Sequence, residues 1–265
     1  MAILEWDKIG ERFYETGLDR GVLYLKDGRS TVWNGLRSVE EGADAEATPF
    51  YLDGVKYIHR ISPGDFNGKL TALTYPDEFE EVVGTKEVGN GMYYYNQQPK
   101  SFNLSYRTRV GNDLDGIDHG YKLHVLYNVY AISDPFQYQS INDQIEPTEL
   151  SWTLSGAPPV SSGYRPTMHV CIDTRDSNIE VLETIEEILY GTAISNPRVP
   201  SIDELTGLMS MFGSFVVVDN GDGTWTGIDL ANNYVTMTSP TQFSITNVDA
   251  NYIDTSTYTV STTTP

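Results

Sequence analysis

The sequence predicts a mainly β protein, a sandwich or barrel with one flanking α-helix and a small β appendage at its C-terminal end. Three observations predict it. Aromatic residues make up 12% of the 265 residues, 18 of them Tyr, a supply that suits half-buried strands better than helix bundles. Apolar and polar side chains alternate with period two through the middle of the chain. A convincing helical period occurs once, over residues 177–190.

Strand signals run from residue 21 onward. Gly21-Val22-Leu23-Tyr24-Leu25 and Ser30-Thr31-Val32-Trp33 flank Lys26-Asp27-Gly28-Arg29, and Asp-Gly between apolar runs predicts a tight hairpin because Gly tolerates positive φ. Residues 36–49, with Glu40, Glu41, Asp44 and Glu46, are polar and unpatterned and read as a long loop. Strands are expected again over 51–61 and 70–75, followed by one helical turn at Pro76-Asp77-Glu78-Phe79-Glu80, with its carboxylates near the positive end.

In the strand predicted over 102–110, Phe102, Leu104, Tyr106, Thr108 and Val110 share one face, and Asn103, Ser105, Arg107 and Arg109 share the other. The next strand, 121–130, places Leu123, Val125, Tyr127 and Val129 in register, with His124 and Asn128 on the wetter side; Leu150, Trp152 and Leu154 repeat the pattern. In the helix, Ser177 and Glu180 have capping-box spacing, Gly191 can end it, and Ile179, Leu182, Ile185, Ile188 and Leu189 form its apolar stripe. A shorter helix starts at Ser201, with Leu205, Leu208 and Met209 as its face. Composition then shifts to Thr, Val, Tyr and Asn. The predicted organisation is a main β domain over 1–212 and a hairpin appendage over 213–265, too small for an independent core, with strands at 215–218, 224–226, 234–238, 242–245 and 258–261.

Asp and Glu total 37 against 17 Lys and Arg, a net charge of −20. A surface this acidic repels phosphates and anionic lipid headgroups, so contact with DNA is expected to be non-adhesive. The single cysteine, Cys171, excludes an intrachain disulfide; it lies in an expected strand and reads as an inert buried thiol. The N-terminal residues lack the basic and apolar regions of a signal peptide, and no apolar run approaches a membrane span, so a cytosol-like compartment of synthesis is expected.

No catalytic, cofactor or metal site is predicted. There is no Gly-x-Ser-x-Gly. Gly64-Asp65-Phe66-Asn67-Gly68-Lys69 is one residue short of a phosphate loop and reads as a surface turn. The loop from Gly111 to Gly120 holds Asp113, Asp115 and Asp118 at alternate-carboxylate spacing, but Ile117 and His124 stand where a calcium loop needs an oxygen ligand and a Glu. Asp219-Asn220-Gly221-Asp222-Gly223 reads as a turn. His119 and His124, with His169 two residues before Cys171, are too few for a closed zinc site. Asp77, Glu78, Glu80 and Glu81 could supply a carboxylate pair for glycoside hydrolysis, but neighbours on one short helix read as a solvated acidic face.

Several segments together resemble the major tail tube proteins of long-tailed, siphovirus-type bacteriophages, in the form found among phages of actinobacteria. They are residues 6–24, with Arg12-Phe13-Tyr14-Glu15 and Gly17-Leu18-Asp19-Arg20-Gly21; Trp33-Asn34-Gly35-Leu36; Glu46-Ala47-Thr48-Pro49; Tyr75-Pro76-Asp77-Glu78-Phe79; residues 105–113; Asp118-His119-Gly120-Tyr121-Lys122-Leu123-His124; Ile188-Leu189-Tyr190-Gly191; and residues 219–225. The resemblance spans nearly the whole chain. It implies a tail-tube-type β-sandwich whose subunits form hexameric rings stacked into a hollow tube, a virion protein made in the host cytoplasm. It also implies a tape-measure protein, tail terminator and distal tail proteins as partners, and DNA that leaves through the lumen. The competing reading is a carbohydrate-binding or adhesive β-sandwich, with Tyr93-Tyr94-Tyr95 and Trp225 as stacking surfaces.

Overall fold

The computed structural model describes residues 5–44, 47–61, 64–138, 140, 147–177 and 179–212, and beyond these the backbone of five strands. The chain divides into two compact units, Met1–Asp203 and Glu204–Pro265. The first unit contains β1 (Tyr14–Leu25), β2 (Ser30–Val32), β3 (Leu36–Ala43), β4 (Ala47–Leu52), β5 (Val55–Ile61), β6 (Phe66–Ala72), the one-turn helix α1 (Phe79–Val82), β7 (Lys86–Gly89), β8 (Met92–Tyr94), β9 (Phe102–Asn112), β10 (Gly116–Ser133), β11 (Leu150–Gly156), β12 (His169–Asp173) and α2 (Ile179–Tyr190). Helix α3 (Ile202–Phe212) starts at its end and runs into the second unit. No helix of the described residues is long and apolar enough to cross a membrane.

An eight-stranded antiparallel sheet organises the first unit in the order β2-β1-β9-β10-β11-β6-β3, with β12 paired to β10. The β1–β2 turn forms as Asp27-Gly28 predicts: Gly28 takes φ 90°, and the Leu25 amide closes the turn on the Arg29 carbonyl at 2.8 Å. The long strand β10 changes partner partway. Lys122 to Leu126 pair with β12, and Val129 to Ser133 pair with β11. The change falls on a register shift at Asn128, whose φ is 53°. This bulge reverses the alternation, so Leu126 and Val129 both enter the main core. The sequence reading had placed Val129 with Leu123 and Val125, and the bulge corrects it.

That core lies on one face of the sheet. Leu23, Leu70, Phe102, Leu104, Leu126 and Leu154 are fully buried there, around an aromatic cluster of Trp33, Tyr75, Phe79 and Trp152. The opposite sheet face carries Tyr24, Ser105, Arg107, Tyr121 and Leu123 and is covered by α2. Tyr24 donates to the Leu189 carbonyl at 2.7 Å, and Tyr121 donates to Glu186 at 2.8 Å. Both faces of β9 are therefore buried, Ser105 and Arg107 included, where a half-buried strand was expected.

Other expectations are corrected by pairing that no local period reveals. Within the loop expected over 36–49, residues 36–43 form β3 and residues 47–49 start β4. Strand β3 is an end strand, where charged residues such as Arg37 and Glu40 face solvent at no cost, and β6 supplies its hydrogen bonds. The expected turn at Gly64–Lys69 largely belongs to β6, with Lys69 opposite both Glu40 and Thr153. The strand expected over 51–61 is split at Asp53-Gly54, both with positive φ, into the hairpin β4–β5. Strand β1 begins at Tyr14 rather than Gly21.

Helix α2 ends where Gly191 predicts, at φ 80° with its amide on the Glu187 carbonyl at 2.9 Å. Its buried stripe is Val181, Leu182, Ile185 and Leu189, whereas Ile179 is exposed. Ser177 donates to the Asp173 carbonyl at 2.7 Å, and the Glu180 side chain of the expected capping box lies outside the described residues.

In the second unit, β13 (Phe215–Asp219), β14 (Trp225–Asp229), β15 (Tyr234–Ser239), β16 (Gln242–Thr246) and β17 (Thr255–Thr259) form an antiparallel meander in chain order. Four lie where the sequence predicts strands; the fifth lies a few residues earlier than expected. The turn at Asn220-Gly221-Asp222-Gly223 lies outside the described residues.

Candidate functional site

Among the described residues of the first unit, the β4–β5 hairpin presents a continuous uncovered apolar surface. Its strands pair, among the described residues, only with each other. Phe50, Tyr51, Leu52, Val55, Tyr57 and Ile58 are each at least 52% exposed. Both strands alternate side chains between two faces, and neither face rests on the core. A second two-stranded element, β7–β8, exposes Val88, Met92, Tyr93 and Tyr94, with Tyr95 just beyond it. The eight-stranded sheet ends on β2 and β3, and β12 pairs on one side with β10, so three strands offer edges.

The loop between β9 and β10 spends its carboxylates separately. Asp113 accepts from the Gly10 amide at 2.9 Å, tying the N-terminal segment to the loop. Asp115 accepts from Asn112 at 3.1 Å and meets His119 Nδ1 at 2.9 Å, contacts that hold its carboxyl below the ordinary range, with His119 the larger cause. Asn112 Oδ1 caps the amides of Leu114 and Asp115. Asp118 lies 3.7 Å from Arg109 and is 81% exposed. The three carboxylates point to three different partners.

Asp77, Glu78, Glu80 and Glu81 line one open recess of about 600 Å³ with Arg29, Tyr93 and Lys100. Glu81 pairs with Arg29 and, at 2.6 Å, with Lys100, and Glu80 accepts from Tyr75 at 2.7 Å. Burial and the Glu80 bond push the Tyr75 phenol well above its usual value. Tyr93, Tyr94 and Tyr95 stand exposed at this end of β8, whereas the Trp225 side chain lies outside the described residues. Cys171 is exposed on β12, not buried as expected. Partial desolvation is the largest cause raising its pKa; Lys122 opposes it, Glu15, Asp173 and Glu41 add to it, and the unreactive thiol is favoured.

The structure also brings His124 and His169, too few for a closed zinc site by sequence, together with Glu41 from the expected loop over 36–49. His124 on β10 and His169 on β12 share a face as diagonal neighbours, since Leu126 lies opposite His169 and Val125 opposite Val170. Their rings are near parallel with centroids 5.2 Å apart, and His124 Nδ1 lies 3.0 Å from His169 Nε2. Glu41 reaches in from the end strand β3, its side chain 22% exposed although its backbone lies on the sheet edge; Oε2 is 2.8 Å from His169 Nδ1 and Oε1 is 3.9 Å from His124 Nδ1. Tyr106 stacks on His124 and donates to Glu41 Oε1. Thr108 gives its one hydroxyl proton to Glu15 at 2.8 Å, so at 3.0 Å from His124 Nε2 it accepts, and Nε2 carries the hydrogen. Burial holds His124 below the usual histidine range, with the Glu41 charge opposing it. Only the register of β12 on β10 and the fold of β3 reveal this cluster; the residues are too far apart in sequence for a motif.

No family model and no curated protein matches the chain. Among solved structures, it is similar to a chain of the sheath-tube complex of an extracellular contractile injection system in its extended state, at 13% identity and a TM-score of 0.30, over 64% of this chain and 95% of that one. A chain of the anti-feeding prophage baseplate is similar at 9% identity and a TM-score of 0.27, over 64% of this chain and 97% of that one.

Proposed function

We propose that the chain is a structural subunit of a long-tailed bacteriophage tail, which assembles with copies of itself into stacked hexameric rings forming the tube through which DNA passes. The observation that carries this reading is the β4–β5 hairpin, with six large apolar side chains exposed by half or more. A two-stranded hairpin is marginal in water on its own, and an uncovered apolar surface of this kind favours an intermolecular partner. The edges at β2, β3 and β12 add backbone groups that a neighbouring copy can pair, and closing such edges in a ring blunts uncontrolled aggregation.

A net charge of −20 argues against DNA or an anionic membrane as that partner and suits the wall of a conduit, where each attractive phosphate contact would slow passage. The sequence resemblance to major tail tube proteins supplies the sixfold ring, and the tape-measure, terminator and distal tail proteins as further partners. A carbohydrate-binding reading draws on exposed Tyr93, Tyr94 and Tyr95 beside the acidic recess. Sedimentation separates the two. The wild-type protein is expected to form rings or larger species as concentration rises, and Phe50→Ser with Ile58→Ser is expected to remain monomeric with an unchanged thermal midpoint. A wild-type protein that stays monomeric and binds host cell-wall glycans would favour the second reading.

A further inference from the structure

We propose that Glu41, His124 and His169 form a binding site for one zinc-class divalent ion, ligated by Glu41 Oε1, His124 Nδ1 and His169 Nε2, with water completing the shell. These residues offer donor atoms that all lie within 4.8 Å of one another. Zinc bonds to nitrogen and carboxylate oxygen at about 2.0 to 2.2 Å, which puts neighbouring donors of a tetrahedral site roughly 3.3 Å apart. The two edges of the triangle that meet at His124 Nδ1 measure 3.0 Å to His169 Nε2 and 3.9 Å to Glu41 Oε1, on either side of that spacing. The first edge must open by about 0.3 Å and the second close by about 0.6 Å, which rotation of the Glu41 side chain on its end strand can supply.

The surrounding hydrogen bonds hold His124 in the tautomer a metal requires. Thr108 accepts from His124 Nε2, which leaves the Nδ1 lone pair facing His169 Nε2 at 3.0 Å, where it accepts that nitrogen's proton; a bound ion would take the place of this proton between the two nitrogens. His169 Nδ1 lies 2.8 Å from Glu41 Oε2, which keeps the carboxylate beside this ring. Tyr106 steadies the carboxylate through Oε1. The Thr108 oxygen on the off-metal nitrogen of His124 is the support that histidine ligands depend on for ring orientation and basicity. Two imidazoles and one carboxylate favour a borderline ion over calcium or magnesium, which take oxygen shells.

The three ligands come from β3, β10 and β12, so a bound ion would tie the end strand to the middle of the sheet. This inference stands independently of the proposed assembly. The test uses the full chain, freed of metal by a chelator and titrated with Zn²⁺ by calorimetry, with the thermal midpoint followed in parallel. One ion per chain and a saturable rise in the midpoint are expected. Glu41→Gln and His169→Gln should each weaken binding at least tenfold, while Cys171→Ser should leave it unchanged. Absence of saturable binding, equal binding by Glu41→Gln and His169→Gln, or its loss in Cys171→Ser would overturn the assignment. If either ligand variant fails to fold, zinc-edge X-ray absorption of the wild-type complex decides instead. A shell of nitrogen and oxygen with two imidazoles supports the site, and a sulfur ligand or a shell without imidazole overturns it.

Discussion

Arg107 holds a full charge where its side chain is only 6% exposed, and Asp19 compensates it with bonds of 2.7 and 3.0 Å while also pairing with Arg109 at 2.8 Å. Removing one partner of a fully buried pair costs about 3 to 5 kcal/mol. Asp19 is itself 32% exposed and Glu186 remains 3.9 Å from Arg107, so Asp19→Asn is expected to cost about 2 kcal/mol in chemical denaturation. The Arg107 hydrogen bond is the largest cause holding the Asp19 carboxyl below its usual value; burial opposes it, and Arg109 adds to it. A depressed carboxyl stabilises the fold above its unfolded pKa of about 3.9, and that contribution is lost as pH falls through the lower folded value. The difference between wild type and Asp19→Asn should therefore be constant near neutral pH and shrink below about pH 4. The alternation over Phe102 to Val110 was legible in the sequence, but it assigned Arg107 to water. Which charges are buried depends on what covers the second face, and α2 comes from a distant part of the chain.

Elements whose signals are local were legible: the Asp27-Gly28 hairpin, the alternation of β9, the stripe and Gly191 stop of α2, and the meander of the second unit. Elements made by distant pairing were not. Strand β3 has no apolar period because only Leu36 and Val39 pack against the core, and β1 before Gly21 is held to β9 largely by polar and charged side chains. The Asn128 bulge was also hidden, and it depends on Gly156 opposite. A Cβ at Gly156 would lie 2.3 Å from the Asn128 carbonyl oxygen and 2.6 Å from Met168. Backbone cannot yield as a flexible side chain can, so Gly156→Ala is expected to cost about 2 to 3 kcal/mol by thermal or chemical unfolding, although alanine suits a strand. A neutral result would mean that the bulge relaxes freely and does not fix the partner change of β10. The candidate site divides the same way. The exposed Tyr93 to Tyr95 run was visible in the sequence, whereas the Glu41, His124 and His169 cluster depends on the placement of β3 and β12.

For the whole molecule, the charge of −20 makes like copies repel at long range, so short-range apolar burial and strand pairing must outweigh that repulsion if the chain assembles. Screening falls to about 8 to 10 Å near physiological salt and leaves buried apolar contacts nearly untouched. Raised salt should thus promote assembly or leave it unchanged. We further propose that residues 213–265 are peripheral to it, given their small strands and polar composition; a chain ending at Phe212 is expected to keep its oligomeric state in sedimentation, and a loss of soluble assemblies would place essential contacts in the removed part. The most direct test of the central claim is electron microscopy of the purified full-length protein at high concentration, in low and in moderate monovalent salt. The account predicts sixfold rings with an open centre, or tubes of stacked rings, at least as abundant in the higher salt. Single copies at every concentration, or assemblies that dissolve as salt is raised, would contradict it.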